Sequence, residues 1–370
     1  MVFEGKLRNG RIIGTAKQGS VRGSFRAGRG SSPRLLAQGF YTDGRAVVDA
    51  PFGTPRLVDL NTGEVHGLYA RGAAFDIGSG FATRAPTAGT ASFAPRLRYR
   101  QLEVRFRSGS VLLAGTLTIP PGGGRHPAVA FVHGSGPQTR AYLPDLSAML
   151  LHHGVAVLAY DKRGIGQSAG TYPGESPSPP AIDELANDAG AAARFLAAQP
   201  EIDPARVGLA GHSQAGWIMP RSATREHAVR FLVFFAGPAV TADESDVYQT
   251  LTGQGERPQG QSDEAIDAQV LEVGRSGVDP MPWIRRLGVP VLWVYGGRDM
   301  HIPTRLSVRR LEPVASEPGR DFTIVVYPNA NHALIETQTG QTSEMLRSDT
   351  FAPGMFAQVG DWLRARGLGS

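Results

Sequence analysis

Residues Val207-Gly208-Leu209-Ala210-Gly211-His212-Ser213-Gln214-Ala215-Gly216 constrain this chain more than any other stretch. An apolar run ending in Gly-His-Ser-Gln-Ala-Gly has the form of a strand, a sharp turn and a helix start, with Ser213 at the tip of the turn. A serine hydroxyl is a poor nucleophile at its own pKa, and a strained elbow flanked by small residues lifts it toward a base. The pattern is G-x-S-x-G with one departure, because Ala215 stands where the second Gly belongs. A single methyl is tolerable where helix and strand approach, with Gly216 beside it. In a chain with 47 Gly such a pentapeptide also arises by chance, so its weight depends on what surrounds it.

From Leu97 onward the pattern is strand, loop, helix, repeated. Leu97–Arg107 and Val111–Ile119 read as an opening hairpin. Apolar runs follow at Pro127–Val132, Val155–Tyr160, Val207–Ala210, Phe231–Ala236, Val289–Tyr295 and Thr323–Tyr327. Short, nearly continuous Val/Ile/Leu/Phe runs are what strands buried on both faces need. Helical segments are expected at Leu143–His152, Ile182–Ala198, Gln214–Arg225, Arg305–Glu312 and Met355–Arg366. Eight strands with interleaved helices predict an α/β doubly wound, mostly parallel sheet whose ligands bind beyond the carboxyl ends of the strands. Ser213 falls there. Two insertions stand out, the Pro-, Ser- and Gly-rich loop Gly170–Pro180 and a longer segment at about 238–286. The second is positioned to act as a lid or to be an ordinary surface excursion.

Residues 1–95 differ in kind. They are Gly-rich, and Asn9-Gly10, Asp43-Gly44 and Asn61-Thr62-Gly63 separate short alternating segments. This predicts a small antiparallel β domain, with Arg84 to Pro95 as linker and a catalytic domain over 96–370. At 370 residues the chain is long enough for about two domains of roughly 100 to 250 residues each. Residues 1–110 hold 17 Lys+Arg against 7 Asp+Glu, whereas 111–370 hold 21 against 26. The basic residues are scattered along alternating strands without a run, so the two parts are expected to pack together and no nucleic-acid partner is expected.

Apolar content of 41% and charged content of 19% are those of a soluble globular protein. No run approaches the roughly 18 apolar residues of a membrane span, and Met1-Val2-Phe3-Glu4-Gly5 lacks a basic-then-apolar export signal. The chain as given reads as cytoplasmic, although an exported protein with a trimmed leader would look the same. Zero Cys excludes disulfides, thiol catalysis and thiolate metal sites. No cofactor or metal is expected, since no pair of histidines at helical spacing accompanies a carboxylate at the strand ends.

Attack by Ser213 on a carbonyl needs a base near its hydroxyl and an acid to hold the base's tautomer. Among nine histidines, His332 in Pro328-Asn329-Ala330-Asn331-His332-Ala333 follows the final strand at the carboxyl edge and is the best base by position. His212 is adjacent to the serine and expected to point away, and His133 is expected to be structural. Asp299, in Tyr295-Gly296-Gly297-Arg298-Asp299, follows the seventh strand on a Gly-loosened turn and reaches the same edge. Alone, each is an ordinary turn or loop residue; in the order Ser, Asp, His after strands five, seven and eight they form a constellation. A tetrahedral oxyanion also needs backbone N–H donors, for which Gln214 at the helix start and Ser135 in His133-Gly134-Ser135-Gly136-Pro137 are the candidates.

With these residues in place the chain resembles the α/β-hydrolases, in particular bacterial esterase-like members with a serine-aminopeptidase or dienelactone-hydrolase type core. The resemblance covers about residues 97 to 367. It rests on His-Gly-Ser-Gly-Pro at 133–137, Tyr160-Asp161-Lys162-Arg163-Gly164-Ile165-Gly166-Gln167-Ser168, the elbow at 211–216, Gly-Gly-Arg-Asp at 296–299 and Asn-His at 331–332. It implies acyl transfer to water by Ser213, Asp299 and His332, with Asp161 and Arg163 in structural work beside the site.

Fold and triad do not fix the substrate. A carboxylic ester of a small or medium acyl group is the first reading. An aminopeptidase or amidase would need a carboxylate for the substrate amine, and Asp243, Glu244 and Asp246 are candidates that read equally as a solvated helix start. Thioester hydrolysis uses the same triad. A pure binding module is disfavoured because all three triad positions are filled. Oligomeric state is left open.

Overall fold

The computed structural model describes residues 2–8, 11–18, 21–28, 39–48, 56–71, 74–79, 88–90, 95–255, 261–274, 277–346 and 350–370. The chain divides into two compact units, Met1–Ala37 and Gln38–Ser370. The first holds a three-stranded antiparallel sheet of β1 (Val2–Arg8), β2 (Arg11–Gln18) and β3 (Val21–Gly28). The turn signal Asn9-Gly10 lies outside the described residues, and the strands on either side of it pair from Arg8↔Arg11 outward.

The second unit contains two sheets. One is a seven-stranded antiparallel sheet of β4 (Gly39–Tyr41), β5 (Arg45–Val48), β6 (Arg56–Asp59), β7 (Val65–Arg71), β8 (Ala74–Ser79), β9 (Ala88–Thr90) and β10 (Arg96–Leu97), in the order β10-β4-β5-β6-β7-β8-β9. Two of the predicted turns close it. Gly44 takes φ 81 and Gly63 φ 84, conformations that glycine adopts without cost. The Asp59 carboxylate accepts from the N–H groups of Asn61 and Thr62, an Asx turn. Of the expected linker, 84–87 and 91–94 lie outside the described residues and 88–90 form β9.

The other sheet has eight strands: β11 (Arg100–Ser108), β12 (Val111–Ile119), β13 (His126–Val132), β14 (Ala156–Tyr160), β15 (Ile202–His212), β16 (Leu232–Phe235), β17 (Val291–Gly296) and β18 (Phe322–Tyr327). Their order is β11-β12-β14-β13-β15-β16-β17-β18. β12 runs antiparallel to both β11 and β14, and every pairing from β14 to β18 is parallel. The mostly parallel, eight-stranded α/β sheet read from the apolar runs is therefore present. The chain leaves β13 toward β14 on one side and meets β15 on the other, so a crevice opens beyond the carboxyl ends of β13 and β15. Val132 is in register with Gly211 there, which puts the loop at 133–137 beside Ser213.

Eight helices are described: α1 (Pro144–His152), α2 (Pro179–Ala197), α3 (Ala215–Ala223), α4 (Ala242–Leu251), α5 (Asp263–Glu272), α6 (Met281–Ile284), α7 (Thr304–Ala315) and α8 (Met355–Arg364). None among the described residues is long and apolar enough to cross a membrane. Strand side chains alternate between two cores, as buried parallel strands require. Ala128, Ala130 and Val132 face a core completed by Leu185, Ala189 and Leu196 of α2. Val129 and Phe131 face another completed by Leu146 and Met149 of α1 and by Phe356 and Leu363 of α8.

That second core also takes Ala46, Val48, Val58, Leu60 and Val65 from the antiparallel sheet. Strands β4 to β10 thus belong to the same compact unit as the eight-stranded sheet, whereas the sequence suggested a division near residue 95. The physical reason is that Val58 and Leu60 share one core with Phe351 and Phe356, some 300 residues away, a grouping that no local pattern reveals.

An ion pair spans this junction. Arg56 of β6 meets Asp145 of α1 at 2.5 Å, and Asp145 is buried, which raises its pKa against the pull of Arg56. Arg56→Met is expected to cost about 3 kcal/mol in urea denaturation at pH 7, because it strands a buried carboxylate. The loss should shrink at pH 5, where Asp145 can take a proton. Arg56→Met combined with Asp145→Asn should recover at least half of it. No change in the single variant would mean that this pair does not hold the junction.

Candidate active site

β15 ends at His212, and Ser213 takes φ 56, a left-handed backbone that costs a non-glycine residue of order 1–3 kcal/mol. The surroundings hold it there. The Ser213 N–H donates to Phe235 O at 3.0 Å and its carbonyl accepts from the Gly216 N–H at 2.9 Å. A Cβ on Gly211 would come within 2.6 Å of the Ala215 methyl and 2.8 Å of Val132 O, and a Cβ on Gly216 within 2.5 Å of Pro238. The tight positions of this elbow are therefore 211 and 216. Ala215 is fully buried beside Gly211, so the departure from G-x-S-x-G is filled by one methyl that the bare Gly211 leaves room for.

Asp299 and His332 arrive from β17 and β18, and the structure brings all three expected side chains together. His332 Nε2 lies 3.0 Å from Ser213 Oγ, and His332 Nδ1 lies 2.8 Å from Asp299 Oδ2. The other carboxylate oxygen, Oδ1, accepts from the N–H groups of His301 and Ile302 at 2.7 and 2.8 Å. Burial alone would raise the Asp299 carboxyl. His332, His301 and the Ile302 N–H outweigh it and hold the pKa below the ordinary carboxylate range. An ionised Asp299 accepts a hydrogen bond from the Nδ1–H, which leaves the lone pair on Nε2 facing the serine. Gly296 lets the acid loop approach, since a Cβ there would stand 2.4 Å from Asn331 O. The Asn331 side chain in turn accepts from Ala333 and Ile335 N–H groups and shapes the turn that carries His332.

The two oxyanion candidates flank the serine. Gln214 is the N-cap residue of α3, and Ser135 follows Gly134 in the loop after β13. A Cβ on Gly134 would stand 3.3 Å from Ser213 Cβ and 2.3 Å from Tyr142 Oη, so only glycine allows this approach. Asp161 accepts from Arg140 and from the Gln167 N–H, at 2.8 to 3.1 Å, and joins the loop after β13 to the turn after β14. Arg163 forms a fork on buried Asp188 with both contacts at 2.7 Å.

Three features were not legible in the sequence. His212 does turn away from the serine, but its Nε2 donates to the backbone carbonyl of His332 at 2.8 Å. Its Nδ1 must then accept, from Tyr142 Oη at 2.8 Å, so a tyrosine far from any motif supports the histidine loop. Lys162, unassigned within its motif, reaches into the loop after β13. The first helix of the 238–286 insertion is tied to the acid loop: Tyr248 Oη donates to Asp299 O and Thr252 Oγ1 to Met300 O, both at 2.6 Å. Of the carboxylates considered for binding an amine, Glu244 is buried, forks on Arg310 at 2.5 and 2.6 Å and closes the capping box of α4. Among the described residues no group of three or more metal-capable side chains is found.

Comparison with known proteins points the same way. A family model described as serine aminopeptidase, S33, matches residues 124–254, and one described as BAAT / acyl-CoA thioester hydrolase C terminal matches residues 190–337. Esterase EstD of Thermotoga maritima is 26% identical over 281 residues, 68% of this chain and 65% of that protein. An uncharacterised protein of Mycobacterium tuberculosis is 30% identical over 213 residues, 57% of this chain and 64% of its own. The match thus spans slightly under two thirds of each relative's length. The structure of a Pyrococcus furiosus esterase superposes with a TM-score of 0.50 at 18% identity, covering 73% of this chain and 91% of that one, a likeness of fold.

The site is lined by histidines that the fold keeps neutral. Burial lowers His133 and His212 to about 3 and His301 to about 4, and His153 beneath α8 likewise to about 4. In the unfolded chain each takes a proton near pH ~6.5. Below that pH the unfolded state binds more protons, so their stability contribution is complete above about 6.5 and is lost as pH falls toward 4. Each histidine can contribute up to about 1.4 kcal/mol per pH unit. Urea midpoints measured from pH 7.5 down to 4.5 are expected to fall steadily; a flat profile from pH 7 to 5 would show that these rings are not buried neutral.

Proposed function

We propose that the chain is an esterase-like member of the α/β-hydrolase superfamily and that it cleaves carboxylic esters through an acyl-enzyme formed on Ser213. The observation that carries this reading is the continuous line Ser213 Oγ, His332 Nε2, His332 Nδ1, Asp299 Oδ2, with steps of 3.0 and 2.8 Å, at the tip of a strained elbow.

Ser213 Oγ attacks the ester carbonyl carbon while His332 Nε2 takes the hydroxyl proton, and Asp299 stabilises the imidazolium so formed. Charge gathers on the former carbonyl oxygen, where the N–H groups of Gln214 and Ser135 receive it. The tetrahedral species collapses, the C–O bond to the alcohol breaks, and the leaving oxygen takes the proton from Nε2. Water then attacks the acyl-serine with Nε2 again as base. The second collapse returns the proton to Ser213 and releases the carboxylic acid. Every proton has an owner among these residues, so EDTA is expected to leave the rate unchanged.

A thioester substrate is the second reading, favoured by the acyl-CoA thioester hydrolase match over 190–337. The same steps apply with a thiolate leaving group. The aminopeptidase reading draws on the match over 124–254 but lacks one of its candidate amine ligands, because Glu244 is committed to Arg310.

Fluorophosphonate labelling followed by intact-mass measurement is the primary test. Wild-type protein should gain one adduct and Ser213→Ala none; an adduct on the alanine variant would move the nucleophile elsewhere. Rates on p-nitrophenyl esters, acyl thioesters and aminoacyl anilides then rank the three substrate classes, with esters expected first. His332→Ala and Asp299→Asn should each lower kcat by about 10³–10⁴. His301→Ala should lose far less, since its ring flanks His332 at 5.0 Å without lying on the proton path. Equal damage from His301→Ala and His332→Ala would redirect the assignment of the base.

A further inference from the structure

Lys162 is the residue of this site whose presence stability alone does not explain. Its side chain is 2% exposed, and among the described residues no carboxylate lies within ion-pair distance of it. Asp161 beside it is engaged by Arg140 and Gln167. Neutral His133 lies near, the Tyr172 ring stands 5.6 Å away, and Glu175 in the exposed loop at 170–180 acts only from a distance. Burial pulls the ammonium down to about 7. A buried charge without a contacting counter-charge is costly, and methionine of the same reach would avoid that cost.

What the ammonium does make is three hydrogen bonds: to Gly134 O at 2.7 Å, Gly136 O at 3.0 Å and Gln214 Oε1 at 3.1 Å. The first two acceptors belong to the loop after β13 and the third to the residue after the proposed nucleophile. The main chain adds to the hold, because the Lys162 N–H donates to Gln138 O and the Gln138 N–H to Gly136 O. Within one planar trans peptide the C=O and the following N–H point in opposite directions. Fixing Gly134 O toward Lys162 therefore turns the Ser135 N–H the other way. Holding the Gln214 side chain likewise fixes the residue whose N–H is the second candidate donor. An ammonium suits this task, having three donors that diverge from one atom, whereas the flat fork of arginine does not.

We propose that Lys162 is a positioning residue for oxyanion stabilisation, clamping the two backbone arms of the hole, at Ser135 and at Gln214, in one geometry. The proposal rests on the acyl-enzyme reading above and deepens it. Preorganised donors matter most when charge develops, so the clamp should act on the transition state and hardly on substrate binding.

The test compares wild type, Lys162→Met and Gln214→Met, each normalised to fluorophosphonate-titrated serine. Wild type must label and hydrolyse an ester; if it does neither, the acyl-enzyme reading itself fails, a separate result that removes this one with it. Given an active wild type, Lys162→Met is expected to lower kcat on a p-nitrophenyl ester by about 10²–10³, the loss typical of removing an oxyanion donor, with KM within about threefold. Affinity for an arylboronic acid, whose tetrahedral adduct mimics the transition state, should fall in step with kcat/KM. Gln214→Met keeps the lysine and both backbone arms but frees one contact, and should give a smaller loss of the same kind; it decides the matter if Lys162→Met does not fold. An unchanged kcat per titrated site, or a loss confined to KM or to thermal stability, would overturn the proposal.

Discussion

The left-handed backbone of Ser213 is the constraint from which the rest of this site is arranged. A serine at φ 56 does not stay there on its own account. It is held by a hydrogen bond to Phe235 on the neighbouring strand and by the crossing of β15 with α3, where the side chains at 211 and 216 have been reduced to hydrogen. Both conditions depend on the parallel register that sets Gly211 between Val132 and Phe234. The buried strands thus do more than fill two cores. Their alignment brings the turn after β15 level with the loop after β13, and it is there that a hydroxyl and backbone donors can face one carbonyl group.

Around that point, polar groups are buried in a connected set. Asp299 is kept ionised by His332 and by backbone N–H groups, while His133, His212 and His301 are kept neutral by burial. One anionic carboxylate among uncharged rings gives the proposed base a single defined tautomer. His212 carries the arrangement one step outward, passing a hydrogen bond from Tyr142 to the His332 backbone. The segment after β14 ties the other side together through Asp161 on Arg140 and Arg163 on Asp188. Such networks are valuable only when complete, because each unpaired member in a low-dielectric site costs more than its bond contributes.

Much of this was readable from sequence, and the boundary of what was readable is physical. Strands buried on both faces announce themselves as apolar runs, so the sheet and the edge where Ser213, Asp299 and His332 emerge follow from the pattern. The helix expected from Ile182 begins earlier, at Pro179, where the Ser178 side chain caps it, so its first turn lies inside the stretch whose composition reads as a loop. What had no signature was whatever depends on partners distant in the chain. Lys162 reads as one charged residue in a Gly-rich motif, and only the fold shows which carbonyl oxygens surround it. Tyr142 sits outside every motif. The antiparallel strands at 39–97 look self-contained because their alternation is local, whereas the apolar surface they cover comes from α1 and the segment around Phe351.

The insertion after β16 shows how the same logic limits motion. A lid needs an element whose contacts with the site can break without disturbing it. The helix α4 does not meet that condition. Its Tyr248 and Thr252 are hydrogen-bonded to the carbonyls of Asp299 and Met300, and its Glu244 forks on Arg310 of α7. Past it, Gly255 at φ 91 approaches His301 so closely that a Cβ would stand 2.8 Å from Nε2, and His301 meets Thr342 at 3.3 Å. The near half of the insertion is therefore part of the wall behind Asp299, and moving it would break the hydrogen bonds that hold the backbone of the loop carrying this carboxylate. The helix α5 is anchored as well, by Asp267 on Arg305 of α7 and by Ile266 and Val270 packed with Leu306, so α4 and α5 are both fastened to the helix that follows the acid loop.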